Sequence, residues 1–120
     1  MSRKAILEEN YKKMAKDILK KRLDYYCEIM GVEYTALSVR NQKTRWGSCS
    51  SRRSISLNYK LIFAPMSVMD YVIVHELCHL LEMNHSKAFW NQVERVLPDY
   101  KVAKKWLREN GHTFYLPFLE

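Results

Sequence analysis

From Arg3 to Met30 apolar side chains recur at helical spacing, as Leu7, Tyr11, Met14, Ile18, Tyr25 and Ile29, with Lys12, Lys13, Lys16, Lys20 and Lys21 mostly between them. This period predicts an amphipathic helix over Arg3–Met30, closed by Gly31 because glycine readily enters the left-handed backbone that ends many helices. The pattern then changes to a period of two. Thr35, Leu37 and Val39 alternate with smaller or polar neighbours, and a second run covers Thr44–Cys49. In a third, Ile55, Leu57, Tyr59 and Leu61 alternate with Ser54, Ser56, Asn58 and Lys60. Such alternation predicts strands with one buried face, and Ser50–Arg53 reads as the hairpin loop joining the second to the third.

Helical spacing returns from about Ser67 to Met83, entered through Pro65 and a Ser67-x-x-Asp70 pattern that resembles a capping box. Two shorter helices are expected after it, Lys87–Val96 stopped by Pro98 and Asp99–Asn110 stopped by Gly111, while His112–Glu120 carries no assignable pattern. No internal repeat and no linker interrupts the chain. The expected fold class is α+β, in a single domain over 1–120: a long N-terminal helix, a small mainly antiparallel sheet, a central helix packed on it, and C-terminal helices.

Composition adds limits to this outline. A chain of 120 residues buries roughly two-thirds of its unfolded surface, so a core is available without disulfides. The 48% hydrophobic and 28% charged content is that of an ordinary globular protein. The longest apolar stretches, Tyr71–Val74 and Leu61–Met66, fall far short of the roughly 20 residues that cross a bilayer, so no membrane partner is expected. The start, Met1-Ser2-Arg3-Lys4-Ala5, runs into the charged helix without an apolar signal core. Three scattered cysteines (Cys27, Cys49, Cys78) point to reduced thiols, and the cytoplasm is the expected compartment. The net charge of +7 favours acidic proteins or phosphates and allows nucleic-acid or nucleotide contact through a basic surface, although the charges form no single run.

The chemistry is concentrated in the central helix. His75-Glu76-Leu77-Cys78-His79 is an H-E-x-x-H sequence. On a helix His75 and His79 lie about 40° apart, one turn from each other, so their imidazoles converge on one ion. Glu76 is turned about 60° from His79, where its carboxylate approaches a water on that ion without being a ligand. Apolar neighbours, Val72, Val74, Leu80 and Leu81, argue against an incidental solvated face. Imidazoles and a carboxylate turned inward need compensation for lost water, which a metal supplies.

A catalytic zinc takes three protein ligands and keeps one position open. His85 is the leading third candidate, since three of the four histidines fall between His75 and His85; Glu94 on the next helix is the runner-up. In an unbroken helix His85 would point about 240° from His79, so the helix must stop near Met83–Asn84, where asparagine tolerates a left-handed exit. Cys78, about 100° from His79, reads better as a small packed residue than as a ligand.

Several separated motifs occur in order: Arg45-Trp46-Gly47-Ser48-Cys49-Ser50, Ser56-Leu57-Asn58, Leu61-Ile62-Phe63-Ala64-Pro65, Asp70 through His79, and His85-Ser86-Lys87-Ala88-Phe89-Trp90. Together, over about Tyr34 to Leu107, they resemble the YgjP-like metallopeptidase family. The resemblance implies a zincin-like fold related to the SprT and Wss-type proteases, some of which act on DNA-bound proteins. It also implies His75, His79 and His85 as zinc (Zn2+) ligands, Glu76 as the catalytic residue, and a peptide or protein substrate. The histidine spacing equals that of metzincins, but Glu82 stands where those have glycine.

The expected activity is therefore that of a zinc-dependent hydrolase, most simply a metallopeptidase, with Glu76 as general base. Arg45 or one of the eight tyrosines would stabilise the oxyanion. Trp46 and Gly47 border a cleft that takes an extended peptide, or they are a core anchor and a bulge. Phe89 and Trp90 read as packing between the last helices and the sheet. Two competing functions are a metal-dependent nucleotide phosphohydrolase, using Arg45, Arg52, Arg53 and Lys60, and a non-catalytic zinc-bearing module that binds nucleic acid or protein. The first lacks a glycine-rich phosphate loop and an Asp-rich two-metal cluster. The second has no need of Glu76 and would close the zinc with a fourth ligand.

Overall fold

The structure is a computed structural model that describes residues 2–43 and 45–111. The unassigned segment from His112 to Glu120, and Thr44 at the start of the second run, lie outside the described residues. The fold is α+β, with four helices and a three-stranded sheet among the described residues.

Helix α1 spans Arg3–Met30, with the Ser2 hydroxyl accepting from the Ala5 amide at 3.1 Å. Gly31 ends it at φ 68°, the left-handed exit expected of a glycine there. Its buried face is not the stripe picked out by the strongest apolar residues. Met14, Ile18, Tyr25 and Ile29 are 52, 37, 50 and 54% exposed, while Ala15, Leu19, Leu23 and Tyr26 are buried. Both sets satisfy helical spacing, and the docked one carries the small Ala15, which lets the helix lie close on its neighbours.

The sheet comprises β1 (Ala36–Arg40), β2 (Gly47–Cys49) and β3 (Ser54–Asn58) in the order β1-β3-β2. The Ser50–Arg53 loop joins β2 to β3 as an antiparallel hairpin, Gly47 facing Leu57 and Cys49 facing Ile55. In the loop Ser50 Oγ accepts from the Arg52 and Ser54 amides, and Arg53 takes φ 66°. β1 pairs with the other side of β3, in parallel, from Ala36 against Ser54 to Arg40 against Asn58. The sheet is therefore mixed rather than mainly antiparallel. Alternation reports which face of a strand is buried and carries no information on the direction of its neighbour.

The third run also ends sooner than its alternation suggests. After Asn58 the chain turns into a 3₁₀ segment, Tyr59–Phe63, because Asn58 Oδ1 accepts the Lys60 amide at 3.0 Å in place of a strand partner. Tyr59 and Leu61 remain fully buried. Their spacing of two reports burial here and not extended backbone.

Helix α2, Met66–Cys78, is the centre of the fold. α1, the 3₁₀ segment, the sheet, α3 (Lys87–Val96) and α4 (Tyr100–Asn110) all pack on it. The expected Ser67–Asp70 capping box does not form: the helix opens at Pro65 with no side-chain cap. Asp70 instead receives a two-pronged bond from Arg22 of α1, Nε to Oδ1 at 2.9 Å and Nη2 to Oδ2 at 2.8 Å. A planar guanidinium matches a carboxylate in this way and offers more than a cap would. Among the described residues no helix is long and apolar enough to cross a membrane.

Asn58 is buried and holds the segment before β2: its Nδ2 donates to the carbonyls of Gln42 at 2.8 Å and Arg45 at 3.1 Å. Asn58→Ala strands those carbonyls and the Lys60 amide, and is expected to lower unfolding free energy by about 2 kcal/mol in urea denaturation. A change within experimental error would show the segment held by other contacts.

Candidate metal centre

His75, Glu76 and His79 stand at the C-terminal end of α2, where the helix stops at Cys78 rather than at Met83. The exit is not left-handed. Among the described non-glycine residues only Arg53 has a positive φ, so Asn84 does not take the role expected of it. The helix tightens instead: the amides of His79, Leu80 and Leu81 donate to the carbonyls of Glu76, Leu77 and Cys78, three residues back, at 3.0–3.1 Å. This 3₁₀-type winding releases the chain from the 3.6-residue turn that would have carried His85 away. Ser86 then caps α3, its Oγ accepting from the Phe89 amide at 3.3 Å.

The result is convergence. One ligand atom from each of His75, His79 and His85 lies within 4.8 Å of the other two. The ring centroids are 5.2 Å apart for His75 and His79, 5.1 Å for His75 and His85, and 4.7 Å for His79 and His85. Glu94 is exposed and takes no part in this group. Cys78 is fully buried, and burial pushes its thiol up to about 12, which keeps the proton on sulfur and fits a packed residue.

The donor chemistry suits a metal ion. His79 Nδ1 lies 3.2 Å from the Glu82 carbonyl, which only accepts, so a hydrogen bond there places the proton on Nδ1 and leaves Nε2 with its lone pair. His75 Nδ1 is 3.3 Å from Glu76 Oε2. Burial first, and then the neighbouring His75 and His79, lower the pKa of His85, favouring the neutral form that ligates. The three rings rest on Phe89, whose centroid is 5.0, 4.6 and 4.9 Å from those of His75, His79 and His85. Trp90 stands 5.8 Å from His75 and 6.0 Å from His85. Phe89 and Trp90 thus pack on the imidazoles themselves, a role their sequence positions did not announce; only the amphipathic spacing of α3 hinted at an inward face.

A cleft of about 220 Å³ opens beside His75, lined by Arg45, Trp46, Gly47, Tyr71, Val72, His75, Glu76 and Leu107. Its wall includes Gly47 of β2, the edge strand, and the half-buried Trp46, which favours the cleft-border reading of this pair over an internal anchor. Gly47 is needed for close approach: a Cβ there would sit 3.1 Å from Glu76 Cγ, from Leu57 Cδ2 and from the Ser56 carbonyl. The carboxylate of Glu76 is therefore held between β2 and His75. Of the oxyanion candidates, Arg45 and Tyr71 line this space.

Comparison with known proteins agrees with this architecture. A family model described as YgjP-like, metallopeptidase domain, matches residues 1–110. The crystal structure of the metallopeptidase zymogen of Pyrococcus abyssi abylysin is similar with TM-score 0.67 and 24% identity, covering 76% of this chain and 93% of that one. That of the zymogen of Methanocaldococcus jannaschii jannalysin is similar with TM-score 0.68 and 17% identity, covering 77% and 95%. These two show the fold. No curated protein matches the chain.

Two outcomes follow from the geometry. Metal affinity, read by Co2+ absorbance titration, is expected to fall at least about tenfold between pH 7.5 and 5.5, because imidazoles must shed protons to ligate. A pH-independent affinity would exclude histidine ligation. Gly47→Val is expected to lower stability by roughly 1–3 kcal/mol through overpacking against Glu76 and Ser56, seen as a reduced urea midpoint. An unchanged midpoint would mean that β2 can back away from α2.

Proposed function

Because the chain belongs to the YgjP-like metallopeptidase family, we propose that it hydrolyses peptide bonds with a zinc ion held by His75, His79 and His85 and with Glu76 as general base. The observation that carries this reading is the meeting of three imidazole ligand atoms within 4.8 Å beside a buried carboxylate. The family implies a metal ion and polypeptide substrates; the choice of zinc rests on the donor set, since three histidines with a position left over suit a tetrahedral hydrolytic site. Among the described residues the ligand group is three rather than four, which favours catalysis over a closed structural site.

When bound, zinc would supply Lewis-acid polarisation of a carbonyl and acidify a water towards neutral pH. The chain's own residues do the rest. Glu76 accepts the proton of the attacking water at a carboxylate oxygen and delivers it to the departing amide nitrogen. Gly47 lets β2 approach closely enough to hold that carboxylate in place. The edge of β2 takes the substrate as an extended strand, so that backbone bonds position the scissile peptide. Arg45 and Tyr71 are the groups available to the developing negative charge on the carbonyl oxygen. Burial first, then Tyr100 and Glu76, push the Tyr71 phenol up to about 12, so it keeps its proton and can donate.

In this reading residues 1–120 act as one domain in the cytoplasm, without a membrane. Nucleic acid is at most a secondary contact of the basic surface.

Zinc-loaded protein is expected to cleave casein-derived peptides and to hold one zinc per chain, a content lost in the His75→Ala, His79→Ala double variant. Glu76→Gln is expected to keep the zinc while activity falls by at least about a hundredfold. Near-full activity in Glu76→Gln would place the chemistry elsewhere.

A further inference from the structure

Two cations at or near the cleft are, among the described residues, in no salt bridge to a carboxylate. Arg45 lines one side, exposed, its backbone carbonyl pinned by Asn58 Nδ2 at 3.1 Å. On the other side α4 contributes Leu107 to the wall, and Lys104 lies about 60° from Leu107 around that helix. The Lys104 ammonium sits 4.0 Å from the centroid of Trp90, and Trp90 stacks on His85 at 6.0 Å. These two contacts place the charge within about 10 Å of the His85 ring, a separation comparable to the Debye length at about 0.1 M salt.

Salt bridges to carboxylates engage Lys12 with Glu8 and Glu9, Lys20 with Asp24, Arg22 with Asp70, and Lys105 with Glu109. Among the described residues neither Arg45 nor Lys104 has such a partner. Among the described residues Glu76 is the one carboxylate lining the cleft, and it is 6% exposed. Walls that include the rings of Trp46 and Tyr71 strengthen the field of nearby charges on whatever enters the cleft.

We infer that Arg45 and Lys104 make this cleft selective for acidic polypeptide segments, with Asp or Glu flanking the bond presented to the metal centre. The inference rests on the peptidase reading above for the kind of chain that enters, and adds which sequences are admitted. Arg45 attracts a carboxylate on the β2 side, Lys104 one on the α4 side, and lysine-rich segments are repelled at both. Because the attraction acts through water at the mouth of the cleft, it weakens with ionic strength.

Binding separates this inference from the reading beneath it. Fluorescein-labelled peptides sharing one apolar centre and flanked by Glu, Gln or Lys, with a single-stranded oligothymidylate of matching charge, are titrated by anisotropy against zinc-loaded Glu76→Gln protein. The Glu-flanked peptide is expected to bind about tenfold more tightly than the Lys-flanked one, with the difference shrinking as salt is raised. Adding Arg45→Glu and Lys104→Glu is expected to abolish or reverse the order, and Arg45→Gln or Lys104→Gln alone to reduce it, at unchanged zinc content. Equal affinities, or an order that survives charge reversal, overturn the inference. Tighter binding of the oligothymidylate than of the Glu-flanked peptide overturns it in favour of nucleic acid. Wild-type cleavage is scored separately: the expected binding order with no peptide cleaved supports the charge selection while removing the peptidase reading.

Discussion

Everything in this protein is arranged around the burial of α2. From Val68 to Cys78 every residue of the helix is buried except His75, which is partly so. A helix in that position has two obligations. Its apolar residues, Ile73, Val74 and Leu77 among them, must be covered by α1, the 3₁₀ segment and the sheet. Its polar residues, Asp70, His75, Glu76 and His79, must find partners inside the fold, because a desolvated charge without one is strongly unfavourable. Asp70 is answered by Arg22, His79 Nδ1 by the Glu82 carbonyl, and Glu76 lies against His75. What these bonds leave over is a set of imidazole nitrogens facing a common point.

The same burial explains why the candidate metal centre is made where the helix ends. Within a regular helix only His75 and His79 can share an ion, since the next residues on that face continue along the axis. The third imidazole has to come from a chain that has left the helix without travelling far. Three successive bonds to carbonyls three residues back achieve this between His79 and Leu81, and the Ser86 cap restarts a helix beyond His85. Phe89, one turn into α3, then lies under all three rings. Ligand geometry and core packing are thus one arrangement, as expected where rigid elements hold a site.

The cleft is made by elements distant in sequence. β2 supplies Gly47 against Glu76, Asn58 fixes the backbone ahead of β2, and α4 closes the wall with Leu107. Arg45 lines it, and Lys104, on the same helix as Leu107, lies over Trp90 beside His85. Among the described residues neither cation is in a salt bridge, so both charges are available to whatever approaches the cleft.

The sequence by itself determined the local matters: the four helices, the glycine exit of α1, the Ser50–Arg53 hairpin, and the pairing of His75 with His79 on one face with Glu76 beside them. Each follows from the spacing of residues a few positions apart, where covalent geometry fixes the angle between side chains. It also marked His85, because the helical angle forbade a continuous helix if that histidine was to join the other two. Tertiary structure decided what depends on the direction and distance of remote segments. β1 runs parallel to β3, which alternation cannot express. α1 buries Ala15, Leu19 and Leu23 rather than Met14, Ile18 and Tyr25, because two stripes of equal period compete and only the fit to α2 and the 3₁₀ segment separates them. Asp70 leaves a local cap for Arg22, 48 residues away, since a two-pronged ion pair outweighs a single capping bond. Asn84 carries no left-handed turn because the backbone found a tighter winding first, and the floor of Phe89 under the histidines exists only once α3 has docked on α2.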